Sequence, residues 1–268
     1  MNINIISIVA IGLYLITAFL LGRRLSKVSG SLRDNKTGYI ALGMGAVILH
    51  AAVLYNNILT TSGLNLSFFN ALSLIAWLIV LLLLLLSLAK PVESVGIIML
   101  PLASVALLTE QLFPGQHIIA AGNFDLELHI VLSIFAYSLL SIAAVQAILL
   151  AIQDRYLHNK RPGGFIRALP PLQDMESMLF QIITLGFILL SLALISGLIY
   201  LEDMFAQHVV HKTVLSITAW FVFGILIWGR WQFGWRGRTA IRWTLSGCAF
   251  LLLAYVGSKL VLELILGR

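Results

Sequence analysis

Eight apolar stretches, each about long enough to cross a bilayer as a helix, run through this chain, and no aqueous fold could hide them all. They fall at residues 3–22, 38–59, 68–89, 92–113, 127–152, 177–201, 211–230 and 239–266, with short polar turns between them. Inside lipid every backbone N–H and C=O must be bonded within the protein, which leaves helices or a closed barrel. The runs are continuous and lack the period-2 alternation of barrel strands. The predicted fold is therefore all-α: a polytopic integral membrane protein of eight transmembrane helices. Of the 268 residues 60% are hydrophobic and 10% charged, against about 25% charged in an ordinary soluble domain. The loops are too short for a soluble module, so residues 1–268 read as one integral membrane domain whose solvent is the lipid bilayer. The N-terminus, MNINIISIVAIGLYLITAFLLGRR, lacks a positive n-region and a small-residue cleavage site and reads as a retained first span.

Charge sets the orientation. With the N-terminus outside, fourteen of the seventeen basic residues, Arg23 through Arg242, fall on the inner side, and only Lys212, Lys259 and Arg268 on the outer. The positive-inside rule then predicts that both termini are periplasmic. The net charge of +6 does not point to nucleic acid, because the basic residues punctuate the apolar runs instead of clustering on a soluble face. The single cysteine, Cys248, sits in an apolar run, which rules out an internal disulfide and leaves no CxxC redox pair.

A few polar residues stand out against this background. His50, twelve residues into the span 38–59, lies about 18 Å along its helix. It therefore sits inside the hydrocarbon, toward the outer side, with Asn56 and Asn57 beyond it. An intramembrane histidine is costly, and it is either functional or hydrogen-bonded for packing. The leucine-saturated span 68–89 is expected to face lipid over much of its surface. The next span carries Pro101, a kink residue, and Glu110 near its outer end; His117 follows in a turn-rich loop. His129 opens the fifth span, with Ser133, Ala136 and Tyr137 on nearly the same face. That face suits close packing or a flat ligand. The inner loop 153–176 is basic and proline-marked, and its basic half should lie against anionic headgroups. No phosphate-cradling GxxxxGK[ST] loop occurs in the chain. In the loop 202–211, EDMFAQHVVH, His208 and His211 stand three apart and share a face if that segment is helical. Trp228, Arg230, Trp231, Phe233, Trp235 and Arg236 form an aromatic and basic belt at the inner end of span seven.

These residues resemble the cytochrome c assembly family. The likeness lies in LPPLQDMESMLFQIITLGFILLSLALISG, in TAWFVFGILIW followed by GWRGRTA, in LHIVLSIFAYS and in LHAAVLY around His50. It covers roughly residues 40–260 and is nearest to the eight-span HemX/YpjD-type branch, related to the CcsA and CcmC heme-handling proteins. The resemblance implies heme as cofactor. In the family a tryptophan-rich external loop supports the porphyrin and histidines at outer span ends ligate iron, as flat aromatic surfaces and imidazole nitrogens allow. Carried over by position, His129 resembles one external ligand and His50 the intramembrane one. His211 or His208 would supply the opposite axial ligand. Three positions depart from the pattern: the loop 202–211 holds no tryptophan, Trp228 stands at the second intramembrane histidine, and GSKLVLELILGR carries no second external histidine.

The resemblance thus implies a heme-binding or heme-delivering protein of the bacterial inner membrane, related to cytochrome c biogenesis. An alternative is a regulatory or scaffold protein that has lost heme binding and acts through another membrane protein. A solute transporter with His50 as proton relay is a third class, and no internal repeat or broken helix supports it. Catalysis is not expected, because no nucleophile–base pair or metal-ligand set converges.

Overall fold

The computed structural model describes residues 3–26, 36–61, 63–120, 124–159, 169–200 and 210–257. Eight helices follow the apolar runs in order: α1 (Ile3–Ser26), α2 (Lys36–Ile58), α3 (Phe68–Ala89), α4 (Glu93–Leu112), α5 (Phe124–His158), α6 (Leu172–Tyr200), α7 (Val210–Phe233) and α8 (Gly237–Leu252). The first seven are long and apolar enough to cross a membrane. From α8 the chain passes into a π-helical turn, Leu253–Gly257. The remainder of the run to residue 266 lies outside the described residues. The protein is therefore an all-α polytopic membrane protein.

The elements group into two compact units: residues 1–121 with 156–170, and residues 122–155 with 171–268. In the first, α1 packs against α2 and α4, and α3 packs against the same two, so the four helices close a ring. Tyr14, Ala18, Ala46, Val47, Val80, Leu84, Leu100 and Ala103 form its central layer. Ile6, Ala10, Val53 and Leu107 form a second layer nearer the start of α1. The leucine-rich α3 has 44% of its apolar window buried, which leaves the rest of it to face lipid. Leu78, Ile79, Val80, Leu83 and Leu84 are all buried, because the helix has a neighbour on each side.

One end of this unit carries a feature that the sequence did not reveal. Strands β1 (Leu59–Thr60), β2 (Gly63–Asn65) and β3 (Ile118–Ala120) make a small antiparallel sheet in that order, with Leu59 opposite Leu64 and Leu64 opposite Ile119. Asn65 pins it: its Nδ2 donates to the Gly115 carbonyl at 3.0 Å, and its Oδ1 accepts from the His117 amide at 2.9 Å.

In the second unit, glycines set the helix contacts. A Cβ on Gly186 would meet the Leu140 side chain at 2.8 Å, and one on Gly247 would meet the Phe223 ring at 2.7 Å. The turn between α7 and α8 uses Gly234 at φ +66° and Gly237 at φ +54°. There the Gly234 amide donates to the Arg230 carbonyl, the single bond that ends a helix on a left-handed residue, and the Trp235 amide reaches the Gly229 carbonyl. The hydroxyls of Thr17, Ser104, Thr184, Ser191, Thr218 and Thr244 each donate to the carbonyl one turn back in their own helix. A membrane helix can carry such residues without a partner helix, since the backbone satisfies them.

Candidate functional site

His50 sits in the first unit with no exposed surface. Its Nδ1 lies 3.1 Å from the Tyr14 hydroxyl and its Nε2 2.9 Å from the Ser73 hydroxyl. The Tyr14 ring meets the imidazole edge-on, centroids 5.8 Å apart. Nearby, Glu110 Oε1 accepts from Asn57 Nδ2 at 2.8 Å, and its buried Oε2 has no hydrogen-bond partner among the described residues. Asn70 Nδ2 bonds the carbonyls of Asn65 and Asn57 and ties this group to the sheet. Helices α1, α2 and α3 therefore contribute to a buried trio, Tyr14, His50 and Ser73, in which both nitrogens of the histidine are engaged, and α4 brings Glu110 to the neighbouring asparagines. Of its members only His50 stands out in sequence as a functional candidate. Tyr14 and Ser73 look like scattered polar residues in apolar runs, and Glu110 like a helix-end acid. Their common signal is depth, counted from one end of each helix.

His129 lies in the second unit, in the second turn of α5, half-buried. Its Nδ1 is 2.9 Å from the Ala193 carbonyl and 3.1 Å from the Ser196 hydroxyl of α6. A carbonyl can only accept, so Nδ1 carries the proton and Nε2 carries the lone pair. Ser196 donates to the same carbonyl at 2.8 Å, which fixes the acceptor. No described residue bonds to Nε2. The first buried residue of α5 is Ala136, about two turns further in. Tyr137 on the same helix packs against Tyr255, ring centroids 5.6 Å apart. Trp220 of α7 stacks on Phe187 and donates to Ser191 of α6 at 2.7 Å.

His211 is exposed in the first turn of α7, and no hydrogen bond or ring contact among the described residues joins it to His129. His208 lies outside the described residues. No group of three or more His, Cys, Asp or Glu side chains that could hold a metal ion occurs among the described residues. Trp228 is exposed and meets Phe233 edge-on, as a lipid-facing belt residue would. The far end of the second unit is strongly basic. Glu176 binds Arg230 at 2.8 Å with Arg236 at 3.7 Å, and a cavity of ≈ 330 Å³ there is lined by Asp154, Arg155, Arg238 and Arg242 with Ala151 and Ile241.

Such a molecule is a polytopic helical membrane protein that holds ionisable side chains within its span, one of them an imidazole with a nitrogen that no described residue bonds. The chain belongs to the cytochrome c assembly protein family, whose description it matches over residues 40–266. It is similar to the inner membrane protein YpjD of Escherichia coli K12, with 36% identity over 82% of this chain and 84% of that one. More distant similarity reaches the protein HemX of Brevibacillus brevis, 21% identical over 48% of each chain. The cytochrome c biogenesis protein CcsA of Prochlorococcus marinus is 26% identical over 33% of this chain and 29% of its own. No solved structure matches the chain. With seven apolar spans and these relatives, it is a multi-pass protein of the bacterial inner membrane.

Proposed function

We propose that this protein handles heme at the outer membrane face in cytochrome c assembly, holding it through His129 without transforming it. One observation carries the reading: the Nδ1 proton of His129 is committed to the Ala193 carbonyl, with Ser196 on the same acceptor. Metal-ligating histidines are oriented in this way, with the second nitrogen held to a backbone carbonyl and the first left basic. His129 would hold heme iron through its Nε2 lone pair, which no described residue takes. His211 is the candidate for a second ligand. His50 has no role at iron in this reading, because both of its nitrogens are already bonded.

The proposal includes the topology. Eight spans with both termini periplasmic put His129 and His211 on the outer side and the Arg230–Arg242 cluster on the cytoplasmic side, in line with the positive-inside rule. Reporters that fluoresce only in the cytoplasm should light up when fused after residue 160 and stay dark after residue 268. The test of heme handling is titration of heme into detergent-purified wild type, His129→Ala and His211→Ala. A bis-imidazole Soret band in wild type that is lost in His129→Ala supports the reading. Identical spectra and affinities in all three would sink it. The second reading, a non-catalytic scaffold or regulator acting through another membrane protein, draws on the tryptophan-free loop 202–211, which removes the family's aromatic platform. A colourless preparation from heme-replete cells would put it ahead.

A further inference from the structure

Helices α5 and α8 are joined at two levels. Deep in the second unit the Cys248 thiol donates to the Leu140 carbonyl at 3.2 Å. Near the α7–α8 turn, Arg238 Nε donates to Asp154 Oδ2 at 3.2 Å. Around that ion pair lies the cavity of ≈ 330 Å³, lined by Ala151, Asp154 and Arg155 of α5 and by Arg238, Ile241 and Arg242 of α8. Both sets are spaced i, i+3, i+4, which puts their side chains on one face of each helix, and all six residues belong to the second unit. We propose that this cavity is a phosphate-binding site that holds the headgroup of an anionic phospholipid. The site is separate from His129, and nothing in it rests on heme.

The charge in the cavity is unbalanced. Three guanidiniums face one carboxylate, which leaves two positive charges. Arg155 and Arg242 are exposed and make no ion pair among the described residues. The other carboxylates described at this end do not neutralise them. Glu176 is held by Arg230 and Arg236, and Asp174 is exposed in the first turn of α6 with no ion pair among the described residues. Like charges held round one cavity repel, and an anion between them turns that repulsion into attraction. Guanidinium forks match the paired oxygens of a phosphate in geometry as well as charge. Side chains on a helix lean toward its N-terminus. Helix α5 reaches the cavity near its C-terminus and α8 with its first turns, so Arg155 leans inward and Arg242 outward, toward a common level. Helix α8 also begins without a side-chain cap, and the positive end of its dipole adds to the same field.

The walls select a lipid over a free anion. One turn deeper than Arg155 and Arg238 the lining is Ala151 and Ile241, both apolar. Helix α5 is long and apolar enough to cross a membrane, so a phosphate in the cavity sits where hydrocarbon can receive its acyl chains. Basic pockets between membrane helices bind acidic headgroups in this way. Trp243 follows Arg242 in the chain and meets Trp235 with ring centroids 5.5 Å apart, and tryptophans on membrane helices concentrate at headgroup level. The volume would hold about ten waters, enough for a phosphate and its glycerol, while the apolar floor offers a soluble nucleotide no polar partner. Asp154 holds Arg238 in place and competes with the phosphate for it, which leaves Arg155 and Arg242 as the main donors.

Native mass spectrometry of the full chain, delipidated in detergent and then given phosphatidylglycerol or phosphatidylcholine at equal mole fraction, tests this. The expected result is one retained phosphatidylglycerol per chain, preferred over phosphatidylcholine by about tenfold or more. Each basic residue at an anionic headgroup is worth about fivefold, so Arg155→Gln combined with Arg242→Gln should lower retention about twentyfold. Arg23→Gln, which removes a basic residue from the first unit, should change it by less than about twofold. Asp154→Asn should raise retention, because Arg238 is released to the phosphate, and a carboxylate with a purely structural role would not have this effect. Inorganic phosphate at millimolar concentration should leave the lipid in place. Equal retention of the two lipids, or a loss in Arg23→Gln as large as in the double variant, would overturn the proposal in favour of a diffuse surface attraction. Displacement by inorganic phosphate would overturn it in favour of a soluble anion. The comparison of the two lipids needs no variant, so it decides the matter even where a substitution disturbs folding.

Discussion

The two helical units share a device at one end and differ at the other. Each closes one end with a carboxylate between two cations: Glu93 with Lys36 at 2.9 Å and Arg24 at 4.0 Å, and Glu176 with Arg230 at 2.8 Å and Arg236 at 3.7 Å. At the other end, the first unit is capped by its sheet, and the histidine beneath it has no unbonded nitrogen. In the second unit α5 has no buried residue before Ala136 among the described residues, and the histidine there has one nitrogen that no described residue bonds. The contrast separates two kinds of membrane histidine. What a histidine can bind depends less on its depth than on whether its neighbours have taken both nitrogens.

The largest expected effect tests that contrast directly. His129→Ala should weaken heme binding on the order of a hundredfold or more, since outer-shell partners of a metal ligand alone are worth about 10–100-fold. His50→Leu should leave heme affinity within about twofold, because neither of its nitrogens is available. Heme titration followed at the Soret band measures both, and a larger loss in His50→Leu than in His129→Ala would reverse the assignment. Ser196→Ala should fall between them, loosening the Ala193 acceptor without removing the ligand.

Stability effects come next. Glu176 is 7% exposed at its side chain, and Glu176→Gln would leave Arg230 half-buried without its counter-charge. The Arg230 guanidinium also lies over the Phe180 ring, 4.6 Å from the centroid, and donates to the Trp235 carbonyl. The cost should be about 2–3 kcal/mol, below the full figure for breaking a buried pair because part of the arginine stays solvated. Mild-detergent unfolding of the variant measures it, and no loss would mean that Arg230 is held by its aromatic and backbone contacts alone. Gly247→Ala should cost about 1–3 kcal/mol, because its Cβ would press on the Phe223 ring, which is fully buried and cannot retreat. Gly43→Ala in the first unit should cost less, since the atoms it meets at 3.0 Å are the terminal methyls of Leu84.

The spans were legible in the sequence because continuous apolar runs leave lipid as their only solvent, and the described helices begin and end close to the predicted limits. The exceptions have local causes. Helix α5 runs on to His158 through Gln153, Asp154 and Arg155, where polarity marks the membrane boundary but does not stop a helix. The sheet has strands of two or three residues, too short to show a period. Its register rests on Asn65, whose role appears only once Gly115 and His117 are beside it. At the candidate sites, sequence reasoning singled out His50 and His129 but could not say which nitrogens were free. That depends on Tyr14 and Ser73 in one case and on a backbone carbonyl of α6 in the other, contacts fixed by how the helices pack. A count of depth from one end of each span would have brought Ser73, His50 and Tyr14 together.

The smallest effect sharpens the comparison between the two anchored ends. Glu93 is the first residue of α4, where a negative charge also favours the helix N-terminus. Its closest partner, Lys36, is 36% exposed and can return to water, and Arg24 sits at 4.0 Å, with its guanidinium carbon also 5.3 Å from the centre of the Tyr39 ring. Glu93→Gln keeps the side chain's shape and its capacity to accept a hydrogen bond while it removes the charge. A partly solvated pair is worth about 0–1 kcal/mol, and the helix-end contribution adds about 0.3–1 kcal/mol. The variant should therefore lose about 1 kcal/mol, clearly less than Glu176→Gln. The loss should shrink as salt is raised, since the charges involved are near water. Unfolding both variants in parallel at low and high salt gives the answer. Equal losses that ignore salt would mean that Glu93 is as desolvated as Glu176, and that the two ends are the same device after all.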